Sequence, residues 1–278
     1  MKVYKSLYSR YKDQPTSEIF SYFLFNSALG ETWETPFERL AKMAKPEKWN
    51  FSSPQFKKDG INYPILWNYL NYTFLRCQEL NFITYSKDNK RACFNTGLQT
   101  INEKDIYATF YKNPDSEAKG QTDWTLFCFA DSYSDKLKDF QPLPEIATYI
   151  NDASDLVFDT KLDIEVNYEH IFDNNQERLP EVLKGNRFLA ISSIKGSVEL
   201  LKEKILRNYK IAIPHWYEGK IQLLLPLNIT SDSIADLALV AYKDKDRNIY
   251  KIKTVLSMDM AYIDARLITR PDSEWLNP

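Results

Sequence analysis

The chain has 278 residues, 44% of them hydrophobic and 27% charged, a profile that excludes wholesale disorder and leaves length for one large core or two modest ones. A formal net charge of -2 carries no global attraction for nucleic acid or an anionic membrane, so any such contact must be a local patch. Aromatic residues abound, with 16 Phe, 18 Tyr and 6 Trp beside only 7 Gly, and no G-x-G-x-x-G or Walker-type string occurs; neither a nicotinamide nor a P-loop nucleotide cofactor is expected.

In chain order, MKVYKSLYSRYKD lacks an apolar signal region, and SEIFSYFLF reads as a short helix opening at Ser17. Thr35, Pro36 and Glu38 take the N-cap, first and third positions of a capping box, Phe37, Leu40 and Met43 form a stripe behind it, and Pro46 follows. Leu66, Tyr69, Leu70, Phe74 and Cys77 recur at helical spacing between Ile65 and Leu80. FITYS and RACFN flank KDNK as a hairpin, and Asn95-Thr96-Gly97 should break the second strand. DIYATFYK and DWTLFCFA are two more strands, LPEIATYI looks helical, and KLDIEVN returns to strand. From Arg187 to Arg207 the positions Ile191, Ile194, Val198, Leu201 and Ile205 step by three and four, the mark of a helix with one buried stripe. YKIAIP, KIQLLLPLN, DLALVAY and IYKIKTVLSMDM then follow as strands.

These elements predict an α+β fold, an antiparallel or mixed central sheet with helices packed on it. Residues 1–60 form a helical N-terminal segment and 61–278 the α+β domain. Cys77, Cys93 and Cys128 are widely spaced and odd in number, which fits reduced thiols in a cytoplasmic protein. No apolar run reaches membrane-spanning length, so no membrane partner is expected.

FNTGL at Phe94 to Leu98, DIYATFY after it, and TVLSMDMAYIDARL near the end carry a resemblance to a bacterial family known only as a domain of unknown function. The likeness runs from about Ile61 onward and takes in DLVFDTKLDIEVNYEH, RNYKIAIP, LLLPLN and the closing WL. It implies no catalytic residues. It does imply the company of RNA-binding modules, cold-shock or LOTUS-type, in some relatives, although no such module is evident in this sequence.

Three constellations carry chemistry, each with a plainer reading beside it. In LDIEVNYEHIF, alternation sets Asp163, Glu165 and Asn167 on one face with His170 beyond, a set suited to acid-base work or a divalent metal, and equally to a solvated strand face. In RNYKIAIPHWY, Arg207 and Lys210 precede His215, Trp216 and Tyr217, a mixture suited to phosphate contact and base stacking or to an ordinary strand edge. In SMDMAYIDARLITRP, a helix would align Asp259, Tyr262 and Arg266, and Arg266 would clamp a phosphate or close a salt bridge. Asn95 and Thr96 fit either a turn or the polar lip of a pocket.

Two functions follow. In one, the protein is an RNA- or nucleotide-processing enzyme that hydrolyses a phosphate ester, with Asp163, Glu165 and His170 catalytic and Asn95, Thr96, Asn167, Lys210, His215 and Arg266 binding substrate. In the other it is a non-catalytic module that binds single-stranded RNA or a protein.

Overall fold

The structure is a computed structural model that describes residues 2–9, 18–57, 60–114, 116, 120–269 and 276. It is an α+β protein, and the chain falls into two compact units: Met1–Asn50 with Lys57–Thr148, and Phe51–Phe56 with Tyr149–Pro278.

The first unit holds strands β1 (Ser6–Ser9) and β2 (Ile19–Phe23), helices α1 (Thr35–Met43) and α2 (Pro64–Glu79), and strands β3 (Thr84–Tyr85), β4 (Arg91–Gln99), β5 (Asp105–Lys112) and β6 (Trp124–Asp131). They form one sheet in the order β1-β2-β6-β5-β4-β3, in which β1, β2 and β6 run parallel and the other pairs antiparallel. Leu66, Leu70 and Phe74 of α2 are fully buried, as are Phe20, Phe94 and Phe110 of the sheet; the Phe20 ring lies 4.7 Å from that of Phe74 and 5.1 Å from that of Phe110.

Four local expectations change here. SEIFSYFLF is strand β2, not a helix: an interior strand buries both faces, so its apolar run shows no clean period of two, and Ser17 itself lies outside the described residues. Residues 1–60 therefore give strands to the sheet as well as helix. The box at Thr35 is displaced by one residue. Glu34 is the N-cap position, Thr35 Oγ1 accepts from Thr32 N at 2.9 Å, and the Glu34 carboxylate turns to α2, accepting from Asn62 N (2.7 Å), Asn62 Nδ2 (2.8 Å) and Tyr63 N (3.2 Å). Strand β4 does not break at Asn95-Thr96-Gly97 but runs through it with a shifted register, Gly97 taking φ +74. Finally, residues 143–150 are irregular rather than helical, with Ile146 and Ile150 exposed and Ala147 and Tyr149 half-buried, the alternation of extended chain.

The second unit contains β7 (Ile164–Val166), α3 (Tyr168–Asn175), α4 (Arg187–Arg207), β8 (Ile213–Tyr217), β9 (Lys220–Leu227), β10 (Leu237–Asp244), β11 (Ile249–Leu256) and α5 (Met258–Arg266). The sheet order is β7-β11-β10-β9-β8, with only the β7–β11 pair parallel. Alternation divides it into two layers. Leu223, Leu225, Leu237 and Leu239 pack against Ile171 of α3 and against Ile194, Val198, Leu201 and Ile205 of α4, as the stripe requires. Leu224, Ala238, Val240 and Leu256 face Met258, Ala261 and Ala265 of α5. The strand expected at YKIAIP begins only at Ile213, because Asn208 Oδ1 caps a 3-10 turn at Tyr209–Ile211 by accepting from Lys210 N at 3.1 Å. TVLSMDM likewise ends as strand at Leu256 and continues as α5. No described helix is long and apolar enough to cross a membrane.

Candidate nucleic-acid interface

The first unit's sheet has one face under α2, while on the other, part-covered, face Arg91, Tyr111 and Thr125 stand in register across β4, β5 and β6. A register shift after Thr109, which pairs with Cys128 while Phe110 pairs with Leu126, leaves Phe127 as the extra residue of a bulge. Tyr111 and Phe127 are 43% and 40% exposed, and their rings lie 4.5 Å apart. The Arg91 guanidinium is 5.4 Å from the Tyr111 ring and 5.8 Å from that of Phe127, and it is pinned: it donates to Asp139 Oδ2 (2.5 Å) and to Lys136 O (2.9 Å). Lys136 Nζ sits 5.3 Å over Phe127, and the backbones of Lys90 and Lys112 are bonded beside them (2.9 Å). None of these three lysines has an ion-pair partner among the described residues. Leu137 and Phe140 cover the remainder of the face with Cys93, Tyr107 and Ala130.

A groove of about 390 Å³ adjoins the ring pair, lined by Leu24, Arg39, Met43, Tyr111, Phe127 and Cys128 among others. Arg39 is in a close ion pair with Glu31. A cavity of about 460 Å³ in the second unit is lined by an ion-pair cluster, Lys245 lying 3.0 Å from Asp155 and 4.0 Å from Asp152.

The residues singled out in the sequence fall in several places. Asp163, Glu165 and Asn167 are exposed along β7, as alternation required. Glu165 pairs with Arg247 (2.8 Å), and Asn167 Oδ1 caps α3 by accepting from His170 N (2.9 Å). His170 is exposed, its Nδ1 bonded to Asn174 Nδ2 at 2.8 Å. These four therefore share one surface stretch, but Arg266 does not join them: it is buried at the end of α5, which covers the opposite sheet face from α3. Asn95 and Thr96 belong to the first unit and are buried, with Asn95 Oδ1 accepting from Gly97 N (2.9 Å) and Thr96 Oγ1 donating to Ile106 O (2.6 Å). Lys210 is exposed on its 3-10 turn. His215 and Trp216 are both buried and, as strand neighbours, point to opposite faces of the sheet, so RNYKIAIPHWY presents no continuous basic and aromatic surface. Among the described residues, no group of three or more His, Cys, Asp or Glu is placed to hold a metal ion.

His215 faces α5, its Nδ1 4.0 Å from Asp264 Oδ2, and neither ring nitrogen makes a hydrogen bond. Burial pushes the imidazole down to about 4, although the Gln222 amide across the strand pair, close but outside hydrogen-bond geometry, favours the protonated ring. Burial likewise pushes the Asp264 carboxyl up to about 7.

Sequence reasoning missed Tyr111, Phe127, Lys136 and Arg39. Tyr111 was legible from the alternation Tyr107, Thr109, Tyr111; Phe127 was not, because unbroken alternation would set it opposite Cys128, and the bulge leaves no mark in the string.

The fold and this face define a two-sheet α+β protein with an exposed aromatic platform. The chain belongs to the DUF3825 family, a domain of unknown function, whose family model matches residues 40–275. No curated protein and no solved structure matches it.

Proposed function

We propose that this protein binds single-stranded RNA, with unstacked bases lying on Tyr111 and Phe127. The observation that carries this reading is the exposed ring pair on adjacent strands, stiffened by Arg91 and flanked by Lys136. Every base has a π-face, so a pair of aromatic rings on a sheet is a sequence-tolerant stacking surface. Arg91 serves here by holding the rings, since its amino groups are engaged, whereas Lys136 meets the phosphates. A local cluster of this kind suffices in a protein whose net charge is near zero. The resemblance to a family with RNA-binding company in some relatives points the same way.

The test is fluorescence anisotropy with a short labelled oligouridylate, with its DNA counterpart and a duplex RNA as the other arms. Tyr111→Ala and Phe127→Ala should each weaken binding about tenfold, following the ~1–3 kcal/mol that one stacked base contributes, and duplex RNA should bind more weakly. Wild-type affinity in the double variant, with the fold retained, would overturn the reading. The same mixtures run on a denaturing gel report cleavage. Products that vanish in His170→Ala and Asp163→Asn would move the function to the β7–α3 surface and to phosphate-ester hydrolysis.

A further inference from the structure

The groove beside Phe127 has the dimensions and walls for a further nucleotide, and it is continuous with the platform, because Tyr111 and Phe127 line both. Its volume of about 390 Å³ lies within the ordinary range of small-ligand pockets. Leu24, Pro36, Met43 and Phe129 make it mainly apolar, which suits the face of a base, while Thr125 and Cys128 give it little polar discrimination. Its lining includes one cation, Arg39, whose side chain is 60% exposed at the rim.

That guanidinium is occupied. Glu31 Oε1 pairs closely with Arg39, while Glu31 Oε2 accepts from Asn26 N at 2.8 Å, so the carboxylate is held by its own loop rather than trailing in solvent. The Glu31 side chain is only 19% exposed. A carboxylate and a phosphate present the same anionic oxygens to an arginine fork, so the two compete for it.

Building on the platform reading, we propose that the groove receives the next nucleotide of the bound strand, its phosphate on Arg39, and that Glu31 holds this position as an internal phosphate mimic until RNA displaces it. The strand thus exchanges one ion pair for another at Arg39. RNA affinity is held below what the groove alone would give, and the masking carboxylate lowers it for any polyanion that lacks a base to fill the groove.

The experiment compares oligouridylate binding by wild type, Glu31→Gln, Arg39→Gln, the Glu31→Gln/Arg39→Gln pair and Met43→Trp, each across a salt series. Glu31→Gln should tighten binding about threefold to fivefold, the scale of an exposed ion pair. Arg39→Gln should weaken it and reduce the salt slope by about one phosphate's worth. The gain from Glu31→Gln should disappear in the Arg39→Gln background, and Met43→Trp, which fills the groove, should weaken binding. Arg39→Gln and Met43→Trp proteins that bind as wild type, while Tyr111→Ala does not, would overturn the groove assignment and leave the platform standing. Insensitivity to Tyr111→Ala as well would remove the platform itself. A Glu31→Gln protein with unchanged affinity would end the mimic.

Discussion

His215 and Asp264 confront each other inside the second unit with 4.0 Å between Nδ1 and Oδ2, each lacking the solvent that would let it ionise normally. Asp264 is held at about 7 against an ordinary 3.8, so between these values the native state keeps a proton that the unfolded chain has released, and stability falls as pH rises. His215 is held at about 4 against 6.5, so in that window the unfolded chain takes up a proton the native state refuses, and stability rises with pH. Where the windows overlap, the two slopes oppose and largely cancel. Asp264 keeps 25% of its side-chain surface in solvent, which screens its charge and makes its contribution the smaller of the two.

Removing either partner should therefore unmask the other. His215→Gln should lose stability from acid toward neutral pH and Asp264→Asn should gain it over the same range, each by on the order of 3 kcal/mol. Urea midpoints followed across that range check this, and flat profiles in both variants would refute it.

Glu34 sits at the start of α1 yet caps α2, its buried carboxylate accepting three hydrogen bonds from Asn62 and Tyr63. Glu34→Ala leaves those donors without their acceptor and should cost about 1–3 kcal/mol. Chemical denaturation of Glu34→Ala beside Glu38→Ala, a half-exposed neighbour in a surface ion pair with Lys42 whose loss should cost little, reads this out; equal midpoints would show that the cap contributes nothing.

Gly97 combines φ +74 with a close approach, since an added Cβ would lie 2.5 Å from the Tyr69 hydroxyl. Gly97→Ala should lower stability by about 1–3 kcal/mol from backbone strain alone, with the collision in addition. Tyr69→Phe in the same chain should recover the collision but not the strain. A strictly additive double variant would mean that the hydroxyl moves aside at no cost.

The three thiols are free but differ in their surroundings. Burial pushes Cys77 up to about 12 and pushes Cys93 up as well, whereas Cys128 is half-buried and borders the groove. A thiol reagent should therefore modify Cys128 alone in the native protein and all three after denaturation. Rapid modification of Cys77 or Cys93 without denaturant would show that their packing opens readily.

What the sequence made legible was whatever its periodicity could carry. The stripe from Ile194 to Ile205 was readable because it steps against a single core layer, and the strands around Leu223, Leu239 and Ile252 because their branched, apolar runs are short and bounded by turn residues. Strand β2 was not, since burial on both faces removes the alternation that separates strand from helix. For the sites, residue type marked His170 and His215 but could not reveal that one would be exposed beside Asn174 and the other sealed against α5. Phe127 and the Glu31–Arg39 pair depend on a bulge and on a loop's return, neither of which has a period to read.

The placement of Phe51–Phe56 with the second unit has a consequence for how the protein emerges during synthesis. Phe56 packs beside Leu224 and Val240, yet it leaves the ribosome long before either, while the first unit completes its sheet only when Trp124–Asp131 arrives. A short piece of the second unit is thus inserted in the first, which can close early while the aromatic pair Phe51 and Phe56 waits for its partners. Truncation at a single point cannot separate the two units cleanly: a fragment beginning at Tyr149 would lack those two rings, and Tyr262 of α5 would lose the Phe51 ring 6.5 Å away.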